Sequence, residues 1–182
     1  HRVVTDRIEA GTFAIAAGIT GGSLTLKHAK PRHLDALIDA LRVSGIDVIE
    51  TGDDLTITAT DRVLATDIST DPFPGFPTDL QAQFMAMMCV ADGSSRISET
   101  IFENRFMHVP ELVRMGADIS VDGGVAFVRG RRQLTPAPVM ATDLRASVSL
   151  VLAALATEGL SEVSRIYHLD RGYSNLEDKL GK

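Results

Sequence analysis

Three stretches of this chain are apolar on nearly every side of a helical projection: AGTFAIAAGIT (10–20), AQFMAMMCVA (82–91) and ASVSLVLAALA (146–156). A helix without a polar face must be surrounded by protein, and three such helices in one chain can surround each other. Their approach segments align on Ile8-Glu9-Ala10, Leu80-Gln81-Ala82 and Leu144-Arg145-Ala146, 72 and then 64 residues apart. The second and third copies are preceded by the same dipeptide, Thr78-Asp79 and Thr142-Asp143; in the first, Thr5-Asp6 stands one place early. A spaced self-similarity of this kind is the signature of a repeated supersecondary unit.

Each apolar run ends at a glycine signal, Gly21-Gly22, Asp92-Gly93 or Glu158-Gly159, which is how helices commonly stop. Beyond each stop lies a strand-like segment: SLTLKHA, SRISET or SEVSRIY. An amphipathic helical pattern follows, in HLDALIDALRVSG, ENRFMHVPELVRMG and DRGYSNLEDKLGK. The first two units continue through Gly45-Ile46-Asp47-Val48 and Gly116-Ala117-Asp118-Ile119 into the strands DLTITA and VAFVRG. The expected fold is therefore α/β, with three buried helices inside and sheets with amphipathic helices outside. The repeats run over about residues 1–70, 71–135 and 136–182, the last of them incomplete.

If the buried helices run parallel, their N-termini meet at one end, where unpaired amides and the helix dipoles favour a phosphate or carboxylate. The three Thr-Asp motifs sit at that end. Two readings of them stand together. Thr and Asp before a helix are preferred N-caps, worth about 1 kcal/mol each; the same carboxylates could instead line a site. Arg145, in the first turn, opposes the helix dipole and calls for a compensating anion, either Asp143 beside it or a ligand. Two further junctions concentrate polar groups: ETIFENRFMH with Phe102, Glu103, Asn104, Arg105 and His108, and YHLDRGY with Arg171 beside Gly172. Capping and a solvated face is the plain alternative there.

Composition bounds the rest. With 182 residues, 45% apolar and 23% charged, the chain fits one globular domain. A net charge of -6 argues against nucleic acid or an acidic membrane surface as partner. The single cysteine, Cys89, lies among methionines and reads as a buried structural thiol. One cysteine and no 18-residue apolar span point to the cytoplasm. The histidines lack metal-ligand spacing and no Gly-rich phosphate loop occurs, so neither metal nor cofactor is expected. Starting at His1 and stopping at Lys182 within a helical pattern, the chain reads as a piece of something longer.

The joined motifs DRIEAGTFAIAA, FPTDLQAQFMAM, ETIFENRFMHVPELVRMGA, VMATDLRAS and IYHLDRGYSNLEDKL resemble the UDP-N-acetylglucosamine 1-carboxyvinyltransferase family of enolpyruvyl transferases across essentially the whole chain. The resemblance implies an inside-out α/β barrel domain, one of two in such enzymes. It implies transfer of an enolpyruvyl group from phosphoenolpyruvate to the 3-hydroxyl of UDP-N-acetylglucosamine, with release of phosphate, as the first committed step of peptidoglycan synthesis. By the same resemblance Asp79 is the general base and touches the sugar hydroxyl. Ile101, where the family often has valine, meets the sugar nucleotide through its backbone, and Phe102 follows it in the pocket wall. Asp143 and Arg145 are charged site residues, and Arg171 helps to hold the phosphate of phosphoenolpyruvate. The second domain, with its cysteine on a mobile loop, and the phosphate-binding lysine near the family's N-terminus are not in this chain, and Cys89 does not match that cysteine. Two alternatives remain: an enolpyruvyl transferase with another acceptor such as shikimate 3-phosphate, or a non-catalytic sugar-nucleotide-binding module.

Overall fold

A computed structural model describes residue 1 and residues 3–181. Lys182, the last residue of the third expected amphipathic helix, and Arg2 lie outside the described residues. The apolar runs form helices α1 (Arg7–Thr20), α3 (Gln81–Met88) and α5 (Val148–Leu155). Asp6 caps α1 by accepting from the amides of Ile8 and Glu9, and Gly21, in the left-handed region at φ 73°, ends it with its amide on the Ala17 carbonyl. All eight residues of α3 are buried, as a helix without a polar face requires. Phe84 at its centre is fully buried and meets Phe76 edge to face at 5.4 Å; its truncation to alanine would cost about 3–5 kcal/mol.

The three helices pack on one another, and two glycines show how. A Cβ added at Gly11 would lie 2.5 Å from Leu80 Cδ1, and one at Gly18 would lie 3.0 Å from Met87 Sδ and 2.6 Å from Ile46 Cδ1. Seven residues forward on α1 thus correspond to seven residues forward along the α3 segment. The two helices therefore run parallel, close enough that a side chain at either glycine would have to displace the neighbouring side-chain ends. Asp6 ahead of α1 reaches Arg145 ahead of α5, so the third N-terminus lies at the same end.

Around these helices lie three separate sheets. The first joins β1 (Ser23–Leu26), β2 (Asp47–Thr51) and β3 (Asp54–Thr58) in the antiparallel order β1-β3-β2. Its buried residues Val48, Leu55 and Ile57 follow the period of two expected for a half-buried sheet. The second joins β4 (Ile68–Ser69), β5 (Ser94–Ser98), β6 (Asp118–Asp122) and β7 (Val125–Arg129) in the order β4-β5-β7-β6, with Ile97, Ala126 and Val128 buried. The third pairs β8 (Pro138–Met140) with β9 (Glu162–Ser164) in parallel. Sheets one and two rest on α1 and α3 respectively.

The amphipathic segments form α2 (Asp35–Val43), α4 (Val109–Arg114), α6 (Tyr167–Asp170) and α7 (Leu176–Leu180). α2 buries Leu37, Ile38 and Leu41. The second such segment is helical only from Val109. Asn104 adopts φ 60° and residues 101–108 form a loop instead, held by Arg105 on Thr78 and Asp79 and by the Ile101 and Phe102 amides on Glu99. Among the described residues no helix is long and apolar enough to cross a membrane.

Candidate active site

Where the helix N-termini meet, a cavity of about 430 Å³ opens between the turn before α3, the 101–108 loop and the turn before α5. Thr78, Asp79, Phe102, Arg105, His108 and Asp143 all line it. All six were flagged in the sequence, three in the Thr-Asp motifs and three in the ETIFENRFMH cluster. Ile101, which precedes Phe102 in the chain, stands outside its lining, as do Arg145 and Arg171. A larger hollow of about 680 Å³ lies at the opposite ends of the helices, by Gly21, Ala91 and Ala156. Of its three arginines, Arg62, Arg131 and Arg132, the first two are paired with Asp92 and Asp118, and it holds none of the candidate residues. Chemistry, not volume, separates the two.

Asp79 sits in the 3-10 turn Thr78–Leu80 that leads into α3, and its side chain makes no cap bond. Instead its Oδ1 receives Arg105 Nη2 at 2.5 Å, while Arg105 Nη1 donates to Thr78 Oγ1 at 2.8 Å. Arg105 also lies over the Phe102 ring, 5.1 Å from its centroid. The loop therefore delivers a guanidinium to the carboxylate from the neighbouring strand-to-helix junction. No hydrogen bond from the described residues reaches Asp79 Oδ2, so one carboxylate oxygen is held and the other is available to accept a proton.

Asp143 behaves differently. Its Oδ1 accepts from the amides of Arg145 at 2.7 Å and Ala146 at 2.6 Å, which closes the turn ahead of α5 without capping that helix. Ser147 Oγ completes the turn by accepting from the amides of Thr142 and Asp143. The neighbouring pair Arg145–Asp143 does not form: the backbone amides occupy Asp143, and Arg145 Nη2 turns to Asp6 Oδ2 at 2.7 Å. Arg145 Nη1 donates to the Gly172 carbonyl, and its guanidinium lies over the Tyr173 ring at 5.3 Å. Burial alone would push the Asp6 carboxyl up, but Arg145 and the Ile8 and Glu9 amides together hold it below its ordinary value. Burial acts against the Arg145 charge as well, and Asp6 outweighs it, so the guanidinium's proton is held more tightly than usual. Arg171, exposed at the end of α6, stands next to the Gly172 that Arg145 grips.

Two further elements were not singled out in the sequence. Gln83 Nε2, within the otherwise apolar α3, donates to the Asp79 carbonyl at 2.8 Å and lies 3.2 Å from both Thr12 Oγ1 and Tyr173 Oη. A glutamine inside an apolar run was the available signal. The other is the buried carboxylate of Glu99, which receives four hydrogen bonds. His108 was flagged as polar and proves fully buried, with neither ring nitrogen bonded within the described residues. Burial pushes its imidazole down to about 4, Asp143 opposing the fall and Arg105 adding to it. Cys89 is buried, its thiol pushed up to about 12 by loss of water, and is no nucleophile.

Comparison with known proteins agrees with this arrangement. The family model described as EPSP synthase (3-phosphoshikimate 1-carboxyvinyltransferase) matches residues 1–180. A UDP-N-acetylglucosamine 1-carboxyvinyltransferase of Caulobacter vibrioides is 62% identical over 182 residues, 100% of this chain and 42% of the relative. One from Geobacter metallireducens is 58% identical over 180 residues, 99% of this chain and 43% of the relative. The chain thus spans less than half the length of these curated relatives. Among solved structures, the enolpyruvyl transferase NikO from Streptomyces tendae superposes with a TM-score of 0.89 at 28% identity, over 98% of this chain and 43% of that one. An EPSP synthase from Acinetobacter baumannii, at 16% identity and a TM-score of 0.71 over 94% of this chain and 44% of that one, shares the fold. A match that runs unbroken through every element around the cavity leaves one assignment: this chain belongs to the EPSP synthase (3-phosphoshikimate 1-carboxyvinyltransferase) family.

Proposed function

We propose that the full-length protein transfers the enolpyruvyl group of phosphoenolpyruvate to the 3-hydroxyl of UDP-N-acetylglucosamine and releases phosphate, the first committed step of peptidoglycan synthesis in the cytoplasm. The observation that carries this reading is 62% identity, over every residue of the chain, to a relative bearing that name. Asp79 is the general base: the sugar hydroxyl must lose its proton as its oxygen adds to C2 of phosphoenolpyruvate and C3 takes up a proton, and loss of phosphate from C2 together with a proton from C3 restores the double bond. A positioned carboxylate contributes about 100-fold to 10,000-fold to such a step. Arg105 holds one oxygen of Asp79 and keeps a cation beside the reacting groups.

The remaining assignments rest on the resemblance. The backbone at Ile101 and the ring of Phe102 contact the sugar nucleotide, Asp143 and Arg145 supply charge at the shared helix end, and Arg171 holds the phosphate of phosphoenolpyruvate by bidentate pairing. We read the architecture as an inside-out α/β barrel with repeats over about 1–70, 71–135 and 136–182; the mutual packing of α1, α3 and α5 supports it. A second domain of the same protein would form the other wall of the cleft and close over the substrates.

The test is phosphate release by the full-length protein. It is expected only when phosphoenolpyruvate and UDP-N-acetylglucosamine are both present. Release with shikimate 3-phosphate in place of the sugar nucleotide would assign another acceptor, and binding of the sugar nucleotide without release would mark a non-catalytic module. The 182-residue chain alone, with one wall of the cleft, is expected to bind the sugar nucleotide weakly and release no phosphate; sustained turnover by it would overturn the division of machinery between two domains.

A further inference from the structure

Glu99, directly after β5, is a carboxylate with 7% exposure and, among the described residues, no cation on it. Four donors stabilise it instead. Its Oε1 accepts from Thr70 Oγ1 at 2.8 Å and from the amides of Ile101 at 2.9 Å and Phe102 at 3.1 Å; its Oε2 accepts from Thr78 Oγ1 at 2.9 Å. Thr78 has one hydroxyl proton, and Glu99 takes it. The Thr78 oxygen can then only accept from Arg105 Nη1, which sets the same guanidinium's Nη2 on Asp79. The ring closes through Phe102, whose amide is held by Glu99 and whose face supports Arg105. Two walls of the cavity, the turn before α3 and the 101–102 backbone, are thereby referred to one buried carboxylate.

We infer that Glu99 is a positioning residue, which orients Arg105 on Asp79 through Thr78 and fixes the Ile101–Phe102 backbone directly. This rests on the enolpyruvyl-transfer reading for its effect on turnover, but its structural part is independent of that reading. Glutamine at this position keeps the shape yet turns one acceptor oxygen into a donor. With three donors on the Oε1 side, the carbonyl stays there and the amide faces the Thr78 hydroxyl, so that arm reverses and the Thr78 oxygen must accept from the amide and from Arg105 together, with its own proton turned away. The Ile101 and Phe102 amides keep a partner, but a neutral one, and charge-assisted bonds are about twice as strong.

The experiment compares Glu99→Gln, Thr78→Val, Thr78→Ser and the double variant Glu99→Gln/Thr78→Val in the full-length protein. Misplacement of a catalytic group by about 1 Å can cost about 100-fold, and a kcat loss of that order is expected for Glu99→Gln and Thr78→Val. The Michaelis constant for the sugar nucleotide should stay near its wild-type value in Thr78→Val, and Thr78→Ser should recover kcat relative to it. In the double variant the losses should not multiply, since both changes cut one relay. Amide hydrogen exchange at Ile101 and Phe102 should lose protection in Glu99→Gln and keep it in Thr78→Val. Near-normal kcat in Glu99→Gln, multiplied losses in the double variant, or unchanged exchange at those two amides would each overturn the role. If the wild-type protein releases no phosphate from any acceptor, the catalytic reading fails while the exchange result still decides what Glu99 holds.

Discussion

The turns before α3 and before α5 carry the same triplet, Thr78-Asp79-Leu80 and Thr142-Asp143-Leu144, and use the carboxylate in opposite ways. Asp143 is taken up by the backbone amides of Arg145 and Ala146. Asp79 caps nothing and is held by a side chain, Arg105, that arrives from a loop 26 residues away. The difference lies in the neighbour and not in the triplet. Beside Asp79 a loop supplies a guanidinium braced by Thr78; beside Asp143 the arginine of the same turn is drawn off to Asp6 and the Gly172 carbonyl. A carboxylate bound by the amides of its own turn is fixed as part of the scaffold. One held through a single oxygen by a side chain can accept a proton and exchange partners.

The strongest way to break this contrast is Asp79→Asn in the full-length enzyme. The amide keeps the shape but cannot take the proton, so kcat should fall by about 100-fold to 10,000-fold. Stability should hardly move, because a partly exposed pair such as Asp79–Arg105 contributes about 1 kcal/mol or less. Steady-state kinetics with a thermal melt checks both. Near-normal turnover would return Asp79 to the scaffold class with Asp143.

Next in size is the response to acid, which His108 reports from between the two carboxylates. Its folded pKa is depressed to about 4 from an ordinary 6.5, so above pH 6.5 it contributes nothing to pH dependence. Below that the unfolded chain binds a proton that the folded chain refuses, and stability falls from pH 6.5 down to about 4. A depression of this size corresponds to on the order of 3 kcal/mol. Urea denaturation at pH 7, 5 and 4 should show the decline in wild type and a flatter profile in His108→Leu. Equal slopes would mean that His108 is not held neutral.

Much of this fold was legible because its strongest signal is apolar periodicity. Runs without a polar face in AQFMAMMCVA and ASVSLVLAALA dictate burial whatever their neighbours, and Gly21 marks the stop of α1 by its conformation. The candidate site was legible only to the level of clusters. That Asp79, Phe102 and Asp143 share a cavity follows from helix ends meeting, which periodicity implies. That Arg145 pairs with Asp6, 139 residues away, and not with adjacent Asp143, was not readable, since local spacing carries no information on which backbone amides will already have claimed a carboxylate. Glu99 was hidden for the same reason: a buried acid satisfied by hydroxyls and amides has no charged partner to announce it.

Smaller effects separate the three aspartates. Asp6→Ala should lower stability by about 1 kcal/mol through loss of a cap, and Asp143→Ala by about 1 kcal/mol through loss of the two amide bonds that close its turn, whereas Asp79→Ala should lower it less, having no backbone amide to release. Chemical denaturation of the three variants ranks them. Equal losses at all three positions would erase the contrast.

The smallest and most informative change is Asp143→Asn. Asparagine can close the same turn through its side-chain oxygen, so the amides of Arg145 and Ala146 keep their acceptor and stability should shift by no more than about a few tenths of a kcal/mol. Only the negative charge leaves. That charge now raises the pKa of buried His108, so its removal should push the histidine lower still and move the acid limb of the denaturation profile down in pH. If Asp143 is purely scaffold, kcat and the Michaelis constants should follow wild type. If its charge also serves the cavity it lines, substrate affinity should change while the melting point does not. A loss of stability as large as that of Asp143→Ala would show that the turn needs a carboxylate and not merely an acceptor, and the division between a scaffold and a catalytic aspartate would have to be redrawn.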